Sequence, residues 1–183
     1  VFVHRSYASY FPFYEQAIIL DIGAHFGYFS LFAAMNSAPG SRVVAVEPSP
    51  QNLEVLQANL DAHPKLNVEV IPVAVSDRTG EQALHGGPSF NHSLLNNAPE
   101  ITRVHTFSLA DLMKNLNLKN IDFLKLDCEG SEYPILLTTP AEVLRRIRVI
   151  SLEFHDVRDR GYRPIQLVTH LEACGFGIKQ YSF

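Results

Sequence analysis

A chain of 183 residues, 46% hydrophobic and 19% charged, is long enough to bury a core as one domain and too apolar to be disordered. Its net charge of −4, with no block of Lys and Arg, leaves no electrostatic footprint for nucleic acid, so a small or neutral partner is expected. Cys128 and Cys174, far apart and outside any CxxC pattern, suggest neither a disulfide framework nor a structural zinc site, and a reducing cytoplasm is the default expectation. No apolar run reaches the roughly 20 residues of a membrane helix. The chain opens on Val1 without the basic stretch and cleavage site of a signal peptide, and reads as an excerpt of a longer or processed protein.

Residues 1–16 form an aromatic-rich arm (Phe2, Tyr7, Tyr10, Phe11, Phe13, Tyr14) without a clear period, suited to filling a surface groove or covering a pocket. The β-branched run over residues 17–22 predicts a buried strand, and residues 28–35 a helix with Gly40 beyond its end. Residues 42–47 are a second buried strand. Pro48-Ser49-Pro50 supplies a turn and a proline for the first helical turn, after which Leu53, Leu56 and Leu60 recur at helical spacing. Residues 68–75 read as a third strand. Strand, helix, strand, helix, strand argues for a parallel sheet with right-handed crossovers.

The rhythm breaks at residues 81–107, which read as an insertion near the site: a short strand, a long polar loop and a second short strand. Ser108 then starts a helix with Asp111 in the place of the usual capping-box Glu, and Leu109, Leu112, Met113 and Leu116 give it an apolar face. Residues 121–126 are a fourth strand ending at Asp127. Residues 131–137 open a helix that Pro140 interrupts before a further turn to Arg146. Residues 148–154 are a fifth strand, residues 164–174 a helix closed by Gly175, and residues 177–183 a last strand.

Ligands of open parallel sheets bind beyond the carboxyl ends of the strands. Polar residues recur at those ends: Asp21, Glu47, Asp77, Asp127 with Glu129, and Glu153 with His155. Asp21 stands where a pyrophosphate would want N–H groups and no negative charge, so a cationic ligand such as S-adenosylmethionine is favoured. Glu47, 20 residues past Gly27, stands where an acid grips ribose hydroxyls. Gly23 and Gly27 allow a tight turn and close helix packing, while His25 breaks the dinucleotide fingerprint at its second glycine.

These stretches resemble the FkbM-type family of class I S-adenosylmethionine-dependent methyltransferases from about Ile18 to Phe176. The resemblance rests on Asp21-Ile22-Gly23-Ala24-His25-Phe26-Gly27-Tyr28-Phe29-Ser30, Val46-Glu47-Pro48-Ser49-Pro50-Gln51-Asn52, Val73-Ala74-Val75-Ser76-Asp77, Phe123-Leu124-Lys125-Leu126-Asp127-Cys128-Glu129-Gly130-Ser131-Glu132 and Leu152-Glu153-Phe154-His155. It implies a Rossmann-like, doubly wound, mostly parallel α/β sheet; such a sheet normally ends in an antiparallel pair, of which this chain supplies one strand. It also implies that Asp21, Gly23 and Ala24 cradle the methionine part of the cofactor, with Gly27 and Tyr28 shaping the following turn. Glu47, followed by Pro48, would hold the ribose, the stretch from Ala74 to Asp77 would flank the adenine, and Asp127 would sit beside the sulfonium. His25 replaces a frequent Asn of the family.

Methyl transfer from a sulfonium needs an aligned acceptor and, for a hydroxyl, a proton acceptor. His155 is the first candidate base, with Glu153, Lys125 and His92 behind it. Lys125 alternates with Asp127 on its strand, and pairing with an acid explains it more simply. Asp127, Glu129 and Glu153 could ligate a divalent ion, but their spacing does not require one and no metal is expected. The leading reading is O-methylation of a small molecule, sugar or glycolipid. Its rivals are a non-catalytic nucleoside-binding or assembly domain and an NAD-dependent oxidoreductase, and the acceptor is expected to be selected by residues 1–16 and 81–107.

Overall fold

The computed structural model describes residues 10–86, 92–95, 98–155 and 157–179. In chain order the elements are β1 (Ile18–Ile22), α1 (Tyr28–Asn36), β2 (Arg42–Val46), α2 (Pro50–Asp61), β3 (Val68–Ile71), β4 (Ala74–Ser76), β5 (Gly80–Gly86), β6 (His92–Ser93), β7 (Glu100–Ser108), α3 (Leu109–Asn115), β8 (Ile121–Leu126), α4 (Glu132–Thr138), α5 (Ala141–Leu144), β9 (Ile147–Leu152) and α6 (Pro164–Ala173). Five strands build the main sheet in the order β3-β2-β1-β8-β9, every pair parallel. This is the doubly wound Rossmann-like arrangement expected, with the strand order reversing between β1 and β8.

Strand alternation divides the core into two layers. Leu20, Ile22, Val44, Val46, Leu124 and Leu126 face α3, α4 and α6 through Leu112, Met113, Tyr133, Leu136, Leu167 and Leu171. Ile19, Val43 and Phe123 face the opposite way, onto Phe29 and Ala33 of α1. Each fully buried Leu or Phe in these layers contributes about 1.5–3 kcal/mol. Phe11 of the N-terminal arm is 5% exposed and meets Phe32, Phe123 and Phe29 edge-on, with ring centroids 5.3, 5.5 and 6.2 Å away. Within residues 10–16 it is Phe11 and Pro12 that are buried, while Tyr10, Phe13 and Tyr14 stay exposed; residues 1–9 lie outside the described part.

Three predicted elements differ. The strand expected over residues 68–75 is two: Pro72 has no N–H to offer a ladder, Val73 N–H turns back to Ile71 O at 2.9 Å, and the chain passes from the main sheet into a second one. The insertion expected as a loop between short strands is mostly sheet. Its seven-residue β5 and nine-residue β7 pair antiparallel, and the second sheet runs β4-β7-β5-β6. Residues 177–179 form no strand, and the rest of the expected last strand lies outside the described residues.

Ser108 caps α3 by accepting the Asp111 N–H at 3.1 Å. The expected reciprocal arm is missing, because the short Asp111 side chain bonds the Ser108 and Thr79 hydroxyls while Ser108 N–H donates to Thr79 Oγ1.

Candidate active site

The register of β1 against β8 sets Asp21 opposite Lys125, both on the face turned toward α1. Asp21 has no exposed surface and Lys125 is 5% exposed. Lys125 Nζ donates to Gly23 O at 2.8 Å and lies 3.2 Å from Asp21 Oδ1 and 3.6 Å from Asp127 Oδ2. The approach to Asp21 Oδ1 is an ion pair rather than an aligned hydrogen bond. Ser30 Oγ donates to Asp21 Oδ2 at 2.6 Å. Burial alone would lower the lysine pKa, but the Asp21 and Asp127 carboxylates more than offset it and hold it above the ordinary value. An ammonium held in this way has no lone pair for a substrate proton, which removes Lys125 as a candidate base.

The turn after β1 is closed by main-chain contacts. Gly23 and Ala24 N–H both reach Val46 O, at 3.0 and 3.1 Å. Glu47, at the end of β2, braces the turn from the other side. Its Oε2 accepts from His25 N–H at 2.8 Å, and its Oε1 from Ser49 N–H at 3.0 Å and Asn52 Nδ2 at 3.1 Å. A carboxylate has about four acceptor sites, so roughly one remains for a ribose hydroxyl.

A cavity of about 330 Å³ opens at the C-terminal ends of β1, β2 and β8, a volume in the range of small-molecule sites. Of the residues singled out from the sequence, Gly23, Ala24, Tyr28, Glu47, Pro48, Ala74, Asp127, Lys125, Glu153 and His92 line it. Four others do not. Asp21 lies beneath it, bound to Ser30 and Lys125. Gly27 packs on Leu56, and Asp77 turns to the Ser76 hydroxyl and Arg78. His155 stands behind Asp127 and Glu129. Within the described arm, residues 10–16 contribute nothing to the lining, whereas Leu84, Ser93 and Leu94 of the insertion do. Asn52 was missed because its role depends on Glu47, and Leu84, Ser93 and Leu94 because the insertion did not read as sheet.

His155 is caught among three carboxylates. Nδ1 is 3.1 Å from Oε1 of the fully buried Glu132, which also accepts Cys128 N–H at 2.6 Å. Nε2 is 3.6 Å from Glu129 Oε2 and 3.8 Å from Asp127 Oδ1. Burial opposes the charged ring, yet the Glu132 hydrogen bond and the three carboxylates raise its pKa from 6.5 to about 9. A protonated imidazole cannot accept a proton, so His155 in this state is the counter-cation of the cluster rather than the base. Asp127, Glu132 and His155 each bring one ligand atom to within 4.8 Å of the others, a composition a divalent ion could use. The imidazolium already supplies positive charge there.

Because the folded pKa of His155 exceeds the unfolded one, its stabilisation is complete below about pH 6.5 and disappears as pH rises through about 9. With 21% of the side chain exposed, solvent screening leaves about 1–2 kcal/mol of this contribution. Urea unfolding of wild type and His155→Gln at about pH 6 and about pH 10 should show a stability gap that nearly closes at the higher pH. A gap that does not change with pH would refute the charge assignment.

Among the described residues no helix is long and apolar enough to cross a membrane. The Methyltransferase FkbM domain family matches residues 21–178. The chain is similar to the AMB antimetabolite synthetase AmbE of Pseudomonas aeruginosa, 30% identical over 184 residues, which cover 79% of this chain and 9% of that protein. It is also similar to the 31-O-demethyl-FK506 methyltransferase FkbM of Streptomyces tacrolimicus, 27% identical over 173 residues, which cover 76% of this chain and 66% of the relative. The chain thus spans less than two thirds of either protein. Among solved structures, precorrin-6y C5,15-methyltransferase from Geobacter metallireducens superposes with a TM-score of 0.54 at 19% identity, covering 91% of this chain and 66% of that one, a likeness of fold. With most of its length matched by one family, from Asp21 at the end of β1 to Ile178 after α6, the chain belongs to the FkbM methyltransferases.

Proposed function

We propose that the protein binds S-adenosylmethionine in the cavity at the ends of β1, β2 and β8 and methylates a hydroxyl oxygen of a small molecule, sugar or glycolipid. The observation that carries this reading is the charge of the cavity wall. Its carboxylates are Glu47, Asp127, Glu129 and Glu153, and its one described lysine, Lys125, is committed to Asp21, Asp127 and Gly23 O. A sulfonium is stabilised by such a wall, whereas the pyrophosphate of a dinucleotide is repelled by it. The donor set fits the cofactor in other respects. Gly23 lets the turn close against the Asp127 carbonyl at the cavity's edge, where a Cβ would collide, Glu47 keeps an acceptor site for ribose, and Val73, Ala74 and Val75 offer an apolar edge to adenine.

When bound, the cofactor supplies a methyl group made electrophilic by the positive sulfur. The chain itself has three tasks. Asp127 holds negative charge toward the sulfonium, the Gly23 turn fixes the depth of the methionine end, and Leu84 and Leu94 keep water from the reacting face. The name of the Streptomyces relative supports oxygen as the acceptor atom.

Calorimetric titration tests the cofactor reading. S-adenosylhomocysteine should bind, NAD should not, and Glu47→Ala should weaken the S-adenosylhomocysteine complex by more than about 1 kcal/mol through loss of a charge-assisted contact and of the turn's brace. Tight NAD binding with no S-adenosylhomocysteine binding would overturn it. Methyl transfer to nitrogen rather than oxygen acceptors would overturn the finer assignment alone.

A further inference from the structure

Glu129 stands in the cavity wall on a strained turn. Its backbone is left-handed, φ +52°, a conformation that glycine adopts freely and that a residue with a Cβ adopts at a cost. The next residue is itself a glycine, Gly130 at φ +100°, and the chain still keeps an acidic side chain before it. Strain of this kind gathers at functional sites. The turn is held from two sides. Ser93 Oγ of β6 donates to Glu129 O at 2.8 Å and accepts Leu95 N–H at 3.0 Å, and a Cβ at Gly130 would stand 2.6 Å from Val157 Cγ1. The second sheet and the segment after β9 therefore fix where the Glu129 main chain lies.

Its side chain is open to a bound molecule. Glu129 lines the cavity, and 37% of its side chain is exposed. No described residue donates a hydrogen bond to the carboxylate, and His155 Nε2, 3.6 Å from Oε2, is beyond hydrogen-bond length. The other acids of the site are placed differently. Glu47 accepts three donors, Asp127 lies against Lys125, Glu132 accepts from Cys128 N–H and His155, and Glu153 is exposed to solvent. The titratable groups around Glu129 are Asp127 at the end of β8, Glu132 of α4, and Glu153 and His155 after β9, with Lys125, Cys128 and His92 in the same wall. Burial, joined by the Asp127, Glu132 and Glu153 carboxylates, outweighs the His155 imidazolium and holds the Glu129 pKa above its ordinary value. A carboxylate in such a setting is a stronger base than one in water.

We propose that Glu129 takes the proton from the acceptor hydroxyl, an assignment that rests on the methyl-transfer reading above. The O–H proton passes to a carboxylate oxygen while an oxygen lone pair forms the new O–CH₃ bond. The C–S electron pair leaves with sulfur, converting the sulfonium to the neutral thioether, and the neutral Glu129 carboxyl then releases its proton to water. The second sheet holds the base in place through Ser93.

Stability and turnover test this separately. Glu129→Gln removes a charge that burial and its acidic neighbours disfavour, so at pH 8 its Tm should equal or exceed that of wild type. A carboxylate kept for structure would instead lower Tm by about 3 °C or more when replaced. With catechol, methyl α-glucoside and 31-O-demethyl-FK506 as acceptors, Glu129→Gln should lower turnover by about 100-fold or more and flatten the acidic limb of the pH–rate profile. Its S-adenosylhomocysteine affinity should stay within about two-fold of wild type. His155→Gln takes away a neighbouring positive charge and should move the acidic limb to higher pH. Turnover of Glu129→Gln within about two-fold of wild type, an acidic limb that His155→Gln abolishes instead, or a Tm lowered by about 3 °C or more overturns the proposal. If none of the three acceptors is methylated, the Tm comparison decides alone. Absence of any S-adenosylhomocysteine binding instead overturns the cofactor reading, which separates the two failures.

Discussion

Gly23→Ala is expected to abolish S-adenosylhomocysteine binding and to lower unfolding stability by about 3–5 kcal/mol. A Cβ at this position would lie 1.9 Å from the carbonyl oxygen of Asp127 and 2.8 Å from its carbonyl carbon. Both are main-chain atoms, so no rotamer change relieves the clash. Neither strand end can retreat freely, because Gly23 N–H is bonded to Val46 O at 3.0 Å and Asp127 N–H to Ile22 O at 3.1 Å. To the clash is added the left-handed backbone, φ +76°, which costs an L side chain about 1–2 kcal/mol.

Two other glycines separate these terms. Gly161 shares the left-handed conformation, φ +81°, but a Cβ there meets nothing, so Gly161→Ala should cost only the conformational part, about 1 kcal/mol. Gly27→Ala would meet the Leu56 side chain at 3.1 Å, which can shift, and should fall between the two. Urea unfolding of the three variants gives the ranking, and calorimetry gives the affinity. A Gly23→Ala protein as stable as Gly161→Ala and still able to bind would show that the turn is not wedged against β8.

The main sheet was legible because its central strands are buried on both faces and read as continuous apolar runs, Ile18-Ile19-Leu20 and Val43-Val44-Ala45-Val46, each closed by an acid at the ligand end. The second sheet was not. On β7 the inward positions are Thr102, Val104 and Thr106, with Arg103 and His105 exposed between them, so two of three core-facing residues are polar and the alternation fades. Thr106 Oγ1 is satisfied only by Arg78 O, 28 residues away, a partner that local pattern cannot reveal. Pro72 did mark the hand-over between sheets, yet the apolar residues on both sides outweighed it.

Within the site, strand-end position found the acids but not their orientation. Asp21 and Asp127 occupy similar places in sequence, and pleat and register send one beneath the cavity and the other into its wall. His155 carried the right chemistry for a base. Its three carboxylate neighbours come from Asp127, Glu129 and Glu132, which converge only when the chain turns through Glu129 at φ +52° and Gly130 at φ +100°.

Lys125→Met is expected to be the most destabilising substitution that leaves the backbone unstrained. Methionine nearly fills the volume of the lysine stem, so packing is kept and the change isolates the charge. Without the ammonium, Asp21 remains fully buried with only Ser30 as a donor, and Asp127 keeps only His155 as a cation. Removing one partner of a buried pair costs about 3–5 kcal/mol. At roughly 2–4 °C per kcal/mol for a chain of this size, Tm should fall by about 6–20 °C. Gly23 O loses its 2.8 Å donor at the same time, so the turn loosens and S-adenosylhomocysteine affinity should drop together with stability. The double variant Lys125→Met with Asp21→Asn distinguishes charge from shape. If the penalty comes from an uncompensated carboxylate, removing that charge restores part of the stability, and the cycle gives a coupling of at least about 1 kcal/mol. Additive losses would instead assign the effect to packing. A single variant that loses less than about 1 kcal/mol would mean that the Asp21–Lys125 pair does not hold the end of β1 against β8.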